Sequence, residues 1–147
     1  MAFQELDKSR GNPESPRPFR FYIAGSFGER EKIRALMDEV ESAGCEITAD
    51  WTTHHPIKPY EENPELAGEY ASEDIEGAKD CDVFVLIPEG SGGSTQFAEL
   101  GAAITSETVQ RIIIVGPHNT RSMAFFHPRV ERVDSIEEVF AQFLTNF

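Results

Sequence analysis

Apolar residues along this chain fall into short continuous runs separated by amphipathic stretches, and the two patterns alternate. RFYIAG (20–25) is an apolar run ended by glycine and predicts a buried strand. From Glu29 to Ala43, Ile33, Leu36, Met37 and Val40 recur at helical spacing, with Gly44 as the stop. CEITAD (45–50) predicts a second strand, and WTTHHPIKPYEEN, aperiodic and with two prolines, a loop. Asn63-Pro64 is a cap followed by proline at the first helical position. The helix it opens is expected to reach Lys79, with Leu66, Tyr70, Ala71, Ile75 and Ala78 facing inward. DVFVLIP (82–88) is the clearest buried strand. After the loop EGSGGST, a helix is expected from Gln96 to Glu107, with Phe97, Leu100, Ala103 and Ile104 on its core side. RIIIVG (111–116) and RVERV (129–133) predict two more strands, with PHNTRSMAFFHP between them as a loop or broken helical turn. Ser135 and Glu138 form a capping box for a last helix carrying Ile136, Val139, Phe140 and Phe143.

Five strands alternating with helices imply an α/β domain with a parallel sheet. The strands are continuously apolar, as a sheet covered on both faces requires. The expected fold is a flavodoxin/Rossmann-like three-layer sandwich with strand order 2-1-3-4-5. In that order ligands bind outside the carboxyl ends of the first and third strands, where the chain reverses direction across the sheet. Those ends carry AGSFGER (24–30) and PEGSGGSTQFAE (88–99). Residues 1–18, with three prolines and mixed charge, read as a flexible arm, leaving 19–147 as one domain.

Charge narrows the partners. With 26 acidic and 13 basic residues the net charge is −13, which disfavours nucleic-acid polymers and anionic membrane surfaces. Four lysines against nine arginines, with this acidity, also fit adaptation to high salt. No apolar run approaches the roughly 18 residues of a membrane span, and MAFQELDKSRGNPESPRPFR lacks the apolar stretch of a signal peptide. Cys45 and Cys81 lie beside predicted strands and read as reduced thiols of a cytoplasmic protein.

Several residues at the expected crevice bear chemistry. Glu99 sits early in the helix after the glycine-rich loop. An acid there is favoured by the helix dipole, by about 0.3–1 kcal/mol; equally, an ionised carboxylate in that place is a nucleophile suited to an anomeric carbon. AGSFGER reads either as an ordinary tight turn or as an anion-binding turn in which Arg30 adds a forked contact to phosphate. Asp74 stands at the edge of an apolar helix face, turned outward or placed at a site. Asp80 and Asp82, at the amino end of the third strand, read as turn residues. His54, His55 and His127 do not form a metal set and read as loop histidines. Trp51, after the second strand, offers an aromatic wall on which a nucleobase stacks.

FYIAGSF, DWT, ASEDIEGAKDCDVFVLI, STQFAELGAAI and FFHPRVERVDSIEE together give the chain its likeness to a known group. Over residues 20–145 it resembles the nucleoside 2-deoxyribosyltransferase-like family, which includes 2'-deoxynucleoside 5'-phosphate N-hydrolases. The resemblance implies cleavage or exchange of the N-glycosidic bond of (deoxy)nucleosides or their 5'-monophosphates, with no metal or organic cofactor. It implies Glu99 as the nucleophile that takes the glycosyl group, Asp74 as the acid holding the sugar and orienting Glu99, and Tyr22 as a hydrogen-bond partner of Glu99. It implies a 5'-phosphate grip by Gly25, Ser26, Gly28 and Arg30, joined by Ser94. It also implies a homodimer or higher homo-oligomer, with the segment around Ser122 and Met123 reaching across to a neighbouring chain. The loop GSGGST departs from the transferases, which often carry there an acid that protonates the departing base; only Glu89 precedes it. PEGSGG followed by T-x-x-x-E is similar, with spacing off by one, to the motif of the cytokinin-activating phosphoribohydrolases. A nucleotide-binding sensor domain without turnover is the alternative outside enzymes.

Overall fold

The computed structural model describes residues 18–144; apart from Pro18, the arm expected over 1–18 lies outside the described residues, as do 145–147. Five strands, β1 (Arg20–Gly25), β2 (Glu46–Ile47), β3 (Val83–Ile87), β4 (Arg111–Val115) and β5 (Val130–Val133), form one parallel sheet in the order β2-β1-β3-β4-β5. Register runs from Phe21 opposite Val83 to Gly25 opposite Ile87 in the central pair. The sheet is therefore the expected 2-1-3-4-5 α/β sandwich.

Four α-helices cover it: α1 (Arg30–Ser42), α2 (Pro64–Asp80), α3 (Ser94–Thr105) and α4 (Ile136–Phe143). Alternation along β1 assigns the faces. Phe21 packs edge-on against Phe143 of α4, and Gly25 lies under Ile33 of α1. Tyr22 points the other way, toward α2 and α3, and stacks on Phe84 of β3. The strands Phe21–Ala24, Val83–Leu86 and Ile112–Ile114 are excluded from water and form the centre of the core.

Element types agree with the sequence reading, and several boundaries differ. β2 is two residues long where six were expected. Thr48 N–H still bonds Phe21 O at 2.9 Å, but Asp50 then caps a 3-10 turn, Trp51–Thr53, and ends the strand. A 3-10 turn, Phe27–Glu29, takes the first residue expected of α1. α3 begins two residues early, at Ser94, because Gly93 adopts φ +84° and turns the chain straight into the helix. The inward face of α2 is also rotated. Asp74, Gly77 and Ala78 are its buried residues, whereas Ala71 is exposed. Asp82, read as a turn residue, sits in the bend just before β3; it is fully buried and its Oδ2 accepts the Arg20 N–H at 2.9 Å. The Ser135–Glu138 box is present, with Ser135 N–H donating to Glu138 Oε2 at 3.0 Å.

Candidate active site

A cavity of about 880 Å³ opens at the carboxyl ends of β1 and β3, between the turn after β1, the loop after β2, and helices α2 and α3. Its size suits a nucleotide-sized ligand, the usual range being roughly 300–1,000 Å³. Each element reaches it for a local reason. At Gly25 a Cβ would fall 2.0 Å from Ile33 Cδ1, so glycine lets α1 press on the strand end while the chain turns away. Ser26 Oγ then accepts the Gly28 N–H at 3.3 Å and holds the turn. At Gly77 a Cβ would meet Ala49 Cβ at 2.7 Å and Tyr22 Cδ2 at 3.1 Å. The bare glycine thus brings α2 down on Tyr22, and Asp74, one turn earlier on the same helix face, comes with it.

At the inner end of the cavity, Tyr22 donates its hydroxyl to Glu99 Oε2 at 3.0 Å. Glu99 is 5% exposed and Asp74 7%. Burial pushes the Glu99 carboxyl up to about 8; the Tyr22 hydrogen bond opposes the rise and the Asp74 charge adds to it. Burial, then the neighbouring Glu73, pushes Asp74 up to about 7. Burial and the two carboxylates raise the Tyr22 phenol, which stays a donor at ordinary pH. Glu99 is the sixth residue of α3, in its second turn, and α3 has no acid in its first turn. The dipole reading of Glu99 therefore fails: the effect fades within one turn, and the carboxyl is pushed toward its neutral form.

Of the nine residues singled out from sequence, Asp74, Glu99, Gly25, Ser26, Gly28, Trp51 and Ser94 line this cavity, and Tyr22 lies beneath it. Trp51 is 6% exposed and its indole N–H donates to Ile23 O at 2.7 Å, so its ring is tethered where it lines the cavity. Arg30 is outside the lining. Its Nη1 donates to Phe27 O at 3.1 Å and its guanidinium lies 4.6 Å from the Phe27 ring centre. The fork expected for phosphate is folded back on its own turn, and Lys58 is the cation among the lining residues. Ser122 caps the 3-10 turn Met123–Phe126, outside the cavity lining, and Met123 is 91% exposed.

Among the lining residues given no site role from sequence are His54 and Gln96. His54, read as a loop histidine, stacks on Tyr70 with ring centres 3.7 Å apart. Its Nε2 is 3.2 Å from Glu73 Oε2 and its Nδ1 3.8 Å from Asp74 Oδ2. Its place after the carboxyl end of β2 was the available signal. Gln96 is 6% exposed; among the described residues its Oε1, like Asp74 Oδ1, has no hydrogen-bond partner. Its spacing of three from Glu99 put both on one helix face.

No protein-family model matches the chain, and no curated protein matches it in sequence. In three dimensions it is similar to the structure of Clostridium botulinum CMP N-glycosidase, BcmB, with a TM-score of 0.50 and 18% identity. The likeness covers 87% of this chain and 99% of that one, and at this identity it is a likeness of fold.

Proposed function

We propose that this protein cleaves the N-glycosidic bond of nucleosides or their 5'-monophosphates through a glycosyl-enzyme on Glu99. The observation that carries the reading is the buried Glu99, held by the Tyr22 hydroxyl at 3.0 Å and facing the same cavity as Asp74. The similarity in fold to a CMP N-glycosidase supports it, as does the resemblance of STQFAELGAAI and FYIAGSF to the deoxyribosyltransferase-like family.

In this reading the ionised Glu99 attacks C1'. The C1'–N bond breaks, its electron pair leaves with the base, and the base takes a proton. Water, or a second base, then adds to C1' and releases Glu99. The transition state is oxocarbenium-like, with positive charge growing at the sugar. A carboxylate desolvated beneath it gains attraction as that charge develops, which is differential stabilisation. Tyr22 fixes one oxygen of Glu99 and leaves the other for C1'. Asp74 holds the sugar and orients Glu99. In this reading the turn Gly25–Gly28 and Ser94 take the 5'-phosphate, Lys58 is a lining cation that adds attraction for it, and Trp51 and the His54–Tyr70 stack take the base. No metal or organic cofactor takes part. The exposed Met123 supports a homo-oligomer in which this segment meets a neighbouring chain.

The test is incubation with ribo- and deoxyribonucleosides and their 5'-monophosphates, reading free base by chromatography. Release of base, with a pentosyl mass gain on the Glu99 peptide after acid quench, is expected. Binding of nucleotides with no base released from any of them would instead mark a sensor domain.

A further inference from the structure

We propose that Arg121 is a positioning residue of this site: it clamps the loop between β3 and α3 from outside the cavity and so fixes the rim before a ligand arrives. The inference rests on the glycosidic reading of the cavity and adds to it a residue that touches no substrate. The loop, residues 88–93, is rich in glycine. Gly90, Ser91 and Gly92 are exposed, and Gly92 and Gly93 adopt φ +74° and +84° in succession. Glycine loses more conformational freedom on ordering than any other residue. A segment of this kind keeps one shape only when groups outside it hold it.

Arg121 supplies that hold. Its Nε donates to Glu89 O at 2.6 Å and its Nη2 to Gly92 O at 2.7 Å, so one guanidinium closes both ends of a four-residue turn. The planar fork has fixed donor directions and therefore sets the spacing of the two carbonyls; its charge strengthens each bond. The same guanidinium lies 5.4 Å from the ring centre of Phe97 in α3, and Phe97 stacks on the buried Phe125 at 5.7 Å. His118 packs on the middle of the turn, where a Cβ at Gly90 would fall 3.3 Å from His118 Cε1. The arm that carries these groups is itself tied down. Asn119 Nδ2 donates to Val133 O at 2.8 Å, and Ser122 caps the 3-10 turn that follows.

Chain connectivity carries the clamp to the site. Gly93, Ser94, Thr95, Gln96 and Glu99 line the cavity, whereas Arg121 does not. The residue after the clamped Gly92 carbonyl is thus the first lining residue of this segment, and α3 starts one residue later. Fixing Gly92 O fixes how the first turn of α3 stands relative to the Gly25–Gly28 turn, which lines the same cavity. The Tyr22–Glu99 bond is made deeper, between β1 and the second turn of α3. Loss of the guanidinium should therefore loosen the rim and spare the nucleophile. A ligand would then have to order the loop as it binds, which costs affinity.

The experiment compares wild type with Arg121→Ala on nucleosides and on their 5'-monophosphates, reading Kd by calorimetry and base release by chromatography. Kd and KM are expected to rise about tenfold, the cost of re-ordering roughly one residue of backbone. The factor should be the same with and without the phosphate, and kcat should stay within about threefold. Millimolar guanidinium chloride should restore affinity to Arg121→Ala, and sodium chloride at equal ionic strength should not. Arg121→Lys keeps the charge without the fork; it should show most of the loss, and it serves if the alanine variant does not fold. A loss confined to the monophosphates would make Arg121 a charge acting on phosphate and overturn the inference. So would unchanged Kd and KM per folded molecule beside a lowered melting temperature, or a fall in kcat at constant KM. Wild type that binds these ligands and releases no base would sink the glycosidic reading while Kd still judges the clamp; wild type that binds none of them would overturn both.

Discussion

At the amino ends of the strands, buried charge is consumed by the protein itself. Asp82 Oδ2 takes the Arg20 N–H, Arg111 pairs with Glu131, and Arg129 donates to the carbonyls of Ala103, Ile104, Ser106 and Val109, tying off the end of α3. At the carboxyl ends, Asp74 and Gln96 each keep a buried oxygen without a partner among the described residues, and Glu99 has one hydroxyl beside a neighbouring negative charge. The same residue types thus serve opposite ends: paired, they hold elements together; unpaired, they hold chemistry ready. Carboxyls pushed up to about 7 and 8 are the electrostatic mark of the second use.

The largest test of this contrast is Glu99→Ala. Turnover should fall roughly 10³-fold or more while the far-ultraviolet spectrum is kept, because covalent catalysis loses its attacking group. Near wild-type base release would remove the nucleophile. The matching change at the other end is Arg129→Ala, which strands several carbonyls at the end of α3. It should lower stability by about 3 kcal/mol in urea unfolding and leave turnover per folded molecule unchanged. Loss of activity with full stability would mean that the two ends are not separate in function.

Asp74→Asn keeps shape and removes charge. We expect turnover to fall about 100-fold with little loss of stability. The pH profile supplies a second readout. Glu99 attacks only when ionised and its pKa stands at about 8, so kcat/KM should rise with pH through about 7–8, in steps that belong to the coupled pair. Since the Asp74 charge raises Glu99, the asparagine variant should shift this limb to lower pH. An unshifted limb would uncouple the two carboxyls.

Stability carries the same signature with the opposite sign from a salt-bridged acid. Glu99 has a folded pKa of about 8 against an ordinary 4.5, so the folded state holds its proton more tightly than the unfolded state does. Its contribution to stability is therefore retained at low pH and lost as pH rises from about 4.5 toward 8. Glu99→Gln should melt several degrees above the wild type at pH 8, roughly 3 °C for each kcal/mol, and the gap should close near pH 5. A gap independent of pH would contradict the burial argument. The smallest effect is expected at Arg30→Ala: less than about a threefold change in any preference for 5'-phosphates, because the guanidinium is engaged with its own turn. Lys58→Ala should weaken that preference more.

Periodicity alone determined the elements and, through the rules for parallel sheets, the strand order, because burial on two faces writes continuous apolar runs that local sequence displays. It also placed Glu99 at the carboxyl end; Asp74 it left at the edge of a helix face, and the motif resemblance gave Asp74 and Tyr22 their expected roles. What it could not decide was where side chains meet. Arg30 read as a phosphate ligand because its turn faces the crevice, yet a nearby carbonyl and ring draw it back. His54 and Gln96 read as ordinary loop and helix residues, since nothing in their neighbours along the chain shows that Asp74 and Glu99 lie across from them. Gly77 shows why. Its missing side chain sets the approach of α2 to Tyr22, a distance between segments 55 residues apart in the chain. Spacing along a helix is encoded locally, but desolvation, unpaired oxygens and raised pKa values arise only when separate segments close on one another, and that is decided by packing.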